Sequence, residues 1–143
     1  MNKAILKKGD RIVRCLDSDE GKLLVIDCAK RTMPYWVDSC CLAGYEEVGQ
    51  ERLLERLRTT LPSIDKLSQE QQKTMHVRYA TISPILASVG DESERRRKIH
   101  EASSLYEVSV QTVRHRLCDY LVFQDIAALA PPAKKVKERL GPR

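Results

Sequence analysis

The stretch KIHEASSLYEVSVQTVRHRL, residues 98–117, decides the fold of the C-terminal half of this sequence. Its pattern predicts a helix that ends near Tyr106, a short turn, and a second helix capped by Ser109. Val113 and Leu117 lie one helical turn apart and are expected to hold the second helix against the first. Two helices joined in this way form a helix-turn-helix arrangement.

The turn departs from the usual pattern at one position. The residue after the first helix of such a pair is commonly Gly, because Gly adopts a positive φ without strain, and here it is Glu107. The small side chain of Ser103 is expected to let the helices approach, with Val108 filling the angle between them. Replacing Glu107 by Gly is predicted to be tolerated or stabilising.

The exposed face of the second helix has side chains that suit the major groove of DNA. Gln forms two hydrogen bonds with adenine, Arg forms two with guanine, and Val contacts the methyl group of thymine. The predicted base-reading residues are Val110, Gln111, Arg114 and His115. Near the helix N-terminus, Ser109 and Thr112 are predicted to donate to phosphates.

The positive charge of the sequence is concentrated towards its C-terminus. From residue 95 onward there are 11 Lys or Arg against 5 Asp or Glu, so this region has a net charge of +6. The net charge of the whole sequence is +5, so residues 1–94 have a net charge of −1. Such a surplus suits phosphate contacts, although it is equally typical of a solvated surface. The predicted backbone contacts are Arg95, Arg96, Arg97, Lys98, Lys134 and Lys135.

The residues before this pair continue the helical pattern back to a linker. Ser68 is a good N-cap, Pro84 interrupts the helix that follows, and Asp91 with Glu94 resembles a capping box for the next helix. Pro62 marks a linker. We therefore predict a helical DNA-binding domain at residues 68–130, a linker at 62–67, and a basic linker or tail at 131–143.

The N-terminal part reads as strands rather than helices. Apolar and β-branched residues at 11–16, 22–28 and 34–38, separated by turn-forming residues, predict a hairpin or three strands of an SH3-like module. A helix at residues 51–58 would pack on them, because three strands alone are marginally stable. The predicted fold class is α+β, mainly α, with this small β-module at residues 1–61.

Several classes of function are not supported by the residues. The five cysteines form no CxxC pair, the three histidines have no partner at a catalytic or metal-ligand spacing, and all six glycines are isolated. No apolar run approaches the ~20 residues of a membrane span. We therefore expect a cytoplasmic protein that is not an enzyme, with no catalytic residue, metal or cofactor, and no membrane partner.

Five segments together resemble the N-terminal DNA-binding region of TnsB-like transposases, which belong to the Mu-related DDE recombinases. They are KGDRIVR at 8–14, LVID at 24–27, YEVSVQTVR at 106–114, LCDYL at 117–121 and AALAP at 127–131.

The resemblance implies a module that recognises double-stranded DNA at transposon ends in DNA recombination. In it, Gln111, Thr112, Arg114 and His115 correspond to positions of the recognition helix. The family's RNase H-like catalytic core lies beyond the segment seen here, so the sequence is expected to be part of a longer transposase. The basic tail would be the linker to that core, and the partners would include other transposition proteins, in the bacterial cytoplasm and on the nucleoid when DNA is bound.

Two alternatives remain open from the residues. The first is a self-standing helix-turn-helix transcription regulator, which would bind a palindrome as a dimer. The second is a protein-interaction module in which the helix pair is only structural and the basic residues are ordinary solvated charges.

Overall fold

The computed structural model describes residues 3–131. Within them an antiparallel five-stranded sheet is followed by four α-helices, which confirms the α+β prediction. The predicted tail contacts Lys134 and Lys135 lie outside the described residues. The strands are β1 (Ile5–Lys8), β2 (Arg11–Asp19), β3 (Lys22–Asp27), β4 (Tyr35–Asp38) and β5 (Glu46–Val48), and a 3-10 helix at Ser39–Leu42 precedes β5.

The sheet of the described chain has two more strands than predicted. Its order is β4-β3-β2-β1-β5, so the first and last strands of the chain pair with each other. The three predicted strands are found as β2, β3 and β4. The prediction of three strands is wrong because β1 and β5 are short, and β5, with the sequence EEV, has no apolar alternation that would reveal it.

Both faces of the sheet are covered by apolar side chains. Successive residues of a strand point to opposite faces, so β2 contributes to two clusters. Ile12 and Leu16 belong to the large core that the sheet shares with the helices. Val13 and Cys15 belong to a smaller cluster with Val25 on the opposite face.

Three of the four helices, α2, α3 and α4, begin where their capping residues predicted. The side chain of Ser68 accepts a hydrogen bond from the N–H of Gln71 at 3.1 Å in a complete capping box, and Asp91 accepts one from Glu94 at 3.1 Å. Pro84 lies at the start of a 3-10 helix that follows α2. The helices are α1 (Gln50–Leu57), α2 (Gln69–Ile82), α3 (Glu92–Tyr106) and α4 (Val110–Phe123), with 3-10 helices at Ile64–Lys66, Ser83–Ser88 and Ile126–Leu129. None of the helices in residues 3–131 combines the length and the apolar character needed to cross a bilayer.

A single core joins the sheet to the helices. Leu24 of β3, Met75 of α2 and Leu117 of α4 are buried in the same cluster, and Ile64 from the predicted linker packs against it. The predicted domain boundaries around residues 62–67 stay a prediction. What the structure adds is that the two predicted parts share apolar contacts.

Trp36 and Gly90 bring β4 and the start of α3 close together. The indole N–H of Trp36 donates to the carbonyl of Gly90 at 2.8 Å. A Cβ atom at residue 90 would lie 3.1 Å from the Trp36 ring, which is tighter than normal contact. Gly90 therefore leaves room for the indole between β4 and α3.

Candidate nucleic-acid interface

The turn between α3 and α4 is held by Ser103. Glu107 adopts the left-handed conformation, with φ 56° and ψ 46°, and its N–H bonds to the carbonyl of Ser103. The hydroxyl of Ser103 donates to the carbonyl of Val108 at 2.6 Å, and the N–H of Val108 donates back to the carbonyl of Ser103 at 3.1 Å. A residue with a Cβ thus occupies a conformation that favours glycine.

Glu107→Gly is expected to raise the free energy of unfolding by about 0.5–1 kcal/mol. Glycine relieves the left-handed strain, and the greater freedom of the unfolded chain offsets part of that gain. Urea unfolding measures the change. Ser104→Gly is the matched control, since this exposed residue lies inside α3, where glycine is expected to cost about 0.5 kcal/mol. A lower stability for Glu107→Gly would contradict the observed turn geometry.

Ser109 begins α4 as predicted. Its hydroxyl oxygen accepts a hydrogen bond from the N–H of Thr112 at 3.0 Å and lies 2.9 Å from the hydroxyl of Thr112. Both hydroxyls, predicted to contact phosphates, therefore also fix the first turn of the helix. Ser109 is exposed and Thr112 is half-buried.

Three of the four predicted base-reading residues are exposed. Gln111 and His115 lie one turn apart on the same face, with the amide nitrogen of Gln111 3.1 Å from Nε2 of His115. Arg114 is exposed beside them. Val110 differs, because it is half-buried and packs against the core.

The positions of the two arginines follow from helical geometry. A helix advances about 100° per residue, so Arg114 and Arg116 lie on opposite sides of His115. Arg116 is half-buried, and burial, with the positive charge of Arg78 nearby, lowers its pKa. The outer face of the first turns of α4 therefore has a polar centre with an arginine on each side.

Arg95, which the sequence predicts as a DNA-backbone contact, is buried rather than exposed. It is 8% exposed and donates to the carbonyl of Val89 at 2.7 Å, with the carbonyl of Pro34 at 3.5 Å. Burial lowers its pKa, and the positive charge of Arg114 contributes to the same shift. Arg95 continues the inward stripe of α3 four residues before Ile99, so its side chain points into the structure.

Arg96, Arg97 and Lys98 are the next three predicted contacts with the DNA backbone. All three lie at the surface, and the two arginines have acidic neighbours. Arg96 pairs with Glu92 at 2.9 Å. Arg97 pairs with Glu94 at 2.6 Å and with Glu101 at 2.5 Å. Lys98 is half-buried and its ammonium lies 3.4 Å from the carbonyl of Pro84. Much of the positive charge on α3 is therefore compensated within the helix itself.

A buried arginine of the sheet holds the other end of α4. The last four carbonyls of an α-helix have no partner within the helix. Here Gln124 donates to the carbonyls of Tyr120, through its backbone at 2.7 Å, and of Leu121, through its side chain at 2.9 Å. Nε of Arg14 donates to the carbonyl of Val122 at 2.9 Å.

The last of these four carbonyls, that of Phe123, completes the C-terminal cap of α4. Phe123 accepts from the side chain of Gln50 at 2.9 Å and from Arg14 at 3.4 Å, and Arg14 also donates to the side chain of Gln50 at 2.5 Å. A positive charge at a helix C-terminus is favourable for the helix dipole. Sequence reasoning missed Arg14, although its place between the inward-facing Ile12 and Leu16 was a signal that its side chain faces the core.

The buried thiols are unsuited to nucleophilic chemistry at neutral pH. Burial raises the pKa of Cys28 to about 12 and that of Cys118 to about 11, so both stay protonated. Across residues 3–131, no group of three or more His, Cys, Asp or Glu side chains is arranged to hold a metal ion.

No protein-family model matches the sequence, and no curated protein matches it.

Proposed function

We propose that this chain binds double-stranded DNA, with α3 and α4 as a helix-turn-helix and α4 as the recognition helix. The three-residue connection between the helices, the N-cap at Ser109 and the packing of Val113 and Leu117 into the core support this assignment. A capped helix with an exposed first half is the shape that enters a major groove.

The observation that favours this proposal most is the uncompensated charge on α4. Within residues 3–131, neither Arg114 nor Arg116 forms an ion pair, whereas the exposed arginines Arg96 and Arg97 of α3 are paired with glutamates. Positive side chains without acidic neighbours are available for phosphates or for base edges. Gln111 and His115 lie between them and are the residues best placed to read bases.

The N-terminal sheet supports the more detailed proposal, a transposon-end binding region like that of TnsB-like transposases. A 3-10 helix precedes the last strand, and that strand pairs with the first, which is the arrangement of SH3-like small barrels. We propose that this SH3-like module and the helix-turn-helix together form the DNA-binding region, with no catalytic role for the residues described.

The proposal is tested by fluorescence anisotropy with duplexes selected from a randomised pool, at two salt concentrations. The wild-type chain is expected to bind a non-palindromic sequence, more weakly at higher salt. Arg114→Ala is expected to lose about 1–3 kcal/mol of binding free energy on the selected site if Arg114 contacts a guanine. Equal weakening on all sequences would instead make it a phosphate contact.

Arg52→Ala is the matched control, because it removes the same charge from an exposed position on α1. Its binding is expected to stay close to that of the wild type. No enrichment of any duplex, or the same loss for Arg52→Ala as for Arg114→Ala, would overturn the proposal. Binding of a dimer to a palindrome would favour the transcription regulator, and the mass of the complex separates the two.

A further inference from the structure

The loop between β3 and β4 is fixed beside α4. The carboxylate of Asp27 accepts hydrogen bonds from the N–H groups of Ala29 at 3.0 Å and Lys30 at 2.9 Å. Cys28 is buried in the shared core, and its N–H donates to the carbonyl of Ile12 at 2.9 Å. The loop therefore presents the exposed side chains of Lys30 and Arg31 from a rigid base.

Arg31 is directed towards α4 by an ion pair with Asp119. Asp119 follows Gln111 and His115 at intervals of four residues, so it continues the proposed DNA-facing side of the helix by one more turn. The side chain of Arg31 remains 48% exposed and that of Asp119 only 27% exposed. The guanidinium thus covers part of the carboxylate and still has a face open to solvent.

The ion pair between Arg31 and Asp119 affects how this surface interacts with DNA phosphates. An unpaired carboxylate on the DNA-facing side of α4 would repel phosphates, and Arg31 neutralises it. Lys30 adds a second positive charge to the loop, and Lys66 lines the same groove as Arg31 and Asp119. Lys30, Arg31 and Lys66 therefore give positive charge to the loop and the groove next to Asp119.

We infer that the β3–β4 loop is a second DNA-contacting element, in which Arg31 lies between Asp119 and a backbone phosphate. This inference rests on the proposed function. It assigns the β-module a direct contact with DNA, on the side of the major groove reached by the second half of α4.

The test uses Arg31→Gln, Asp119→Asn and the double variant in the anisotropy assay. Arg31→Gln is expected to weaken binding about fivefold and to lower the salt slope by about 1. Asp119→Asn is expected to bind at least as tightly as the wild type. In the Asp119→Asn background, Arg31→Gln is still expected to weaken binding and lower the slope, because the phosphate contact is independent of the carboxylate.

The outcomes separate this inference from the proposed function. If Arg31→Gln has no effect in the Asp119→Asn background, Arg31 only neutralises Asp119 and the phosphate contact is refuted. If Arg114→Ala weakens binding and Arg31→Gln does not, the inference fails while the proposed function stands. If the wild-type chain binds no duplex, both fail. Thermal melting of each variant checks folding, which an exposed ion pair is expected to affect little.

Discussion

Arg14→Ala is expected to lower the free energy of unfolding by about 4 kcal/mol, the largest effect of any substitution considered for this chain. Arg14 is 6% exposed, and its side chain donates to the carbonyls of Lys3 and Val122 and to the side chain of Gln50. Alanine leaves the buried carbonyl of Val122 without this donor and removes the cation from the C-terminus of α4. Urea unfolding, followed by circular dichroism, measures the change.

Arg11→Ala is the matched control on the same strand. The side chain of Arg11 is half exposed, donates to the hydroxyl of Tyr35 at 2.8 Å and lies 3.9 Å from Asp27. Exposed contacts of this kind contribute little, so a loss within about 0.5 kcal/mol is expected. If Arg14→Ala lowers the free energy of unfolding as little as Arg11→Ala does, the buried contacts of Arg14 do not stabilise the fold.

Local patterns in the sequence predicted the helices well. Ser68, Asp91 and Ser109 each cap a helix at the expected residue, because a cap is decided by one side chain and the N–H groups next to it. The β2–β3 hairpin was also predictable, since its strands are long enough to show apolar and β-branched enrichment.

The remaining parts of the fold depend on contacts distant in sequence. β1 and β5 are short strands, and their pairing joins residues distant in sequence, such as Ile5 with Val48. The cap of α4 joins residue 14 to residue 122, and no local pattern indicates such a pairing. A strand or cap formed by distant residues is decided by packing rather than by propensity.

In the candidate site, too, features set by local pattern were predictable and features set by distant contacts were not. The exposure of Gln111, Arg114 and His115 followed from the period of one helix, and it is observed. The burial of Arg95 and the partial burial of Val110 could not be predicted from one helix, because the surfaces that cover them come from other parts of the chain. The position of Arg31 beside Asp119 could not be predicted from a local pattern either, since 88 residues separate them in the sequence.

Arg95→Ala is expected to lower the free energy of unfolding by about 3 kcal/mol, because it removes a buried donor from the carbonyls of Val89 and Pro34. Its neighbour Arg96 is exposed, so Arg96→Ala is expected to change stability by no more than about 0.5 kcal/mol. Urea unfolding and DNA anisotropy on both variants distinguish a structural role from a phosphate contact. If Arg95→Ala instead leaves stability unchanged and lowers the salt slope of DNA binding by about 1, Arg95 is a phosphate contact, as the sequence predicts. Binding of the two variants is compared without denaturant, at conditions where both are folded.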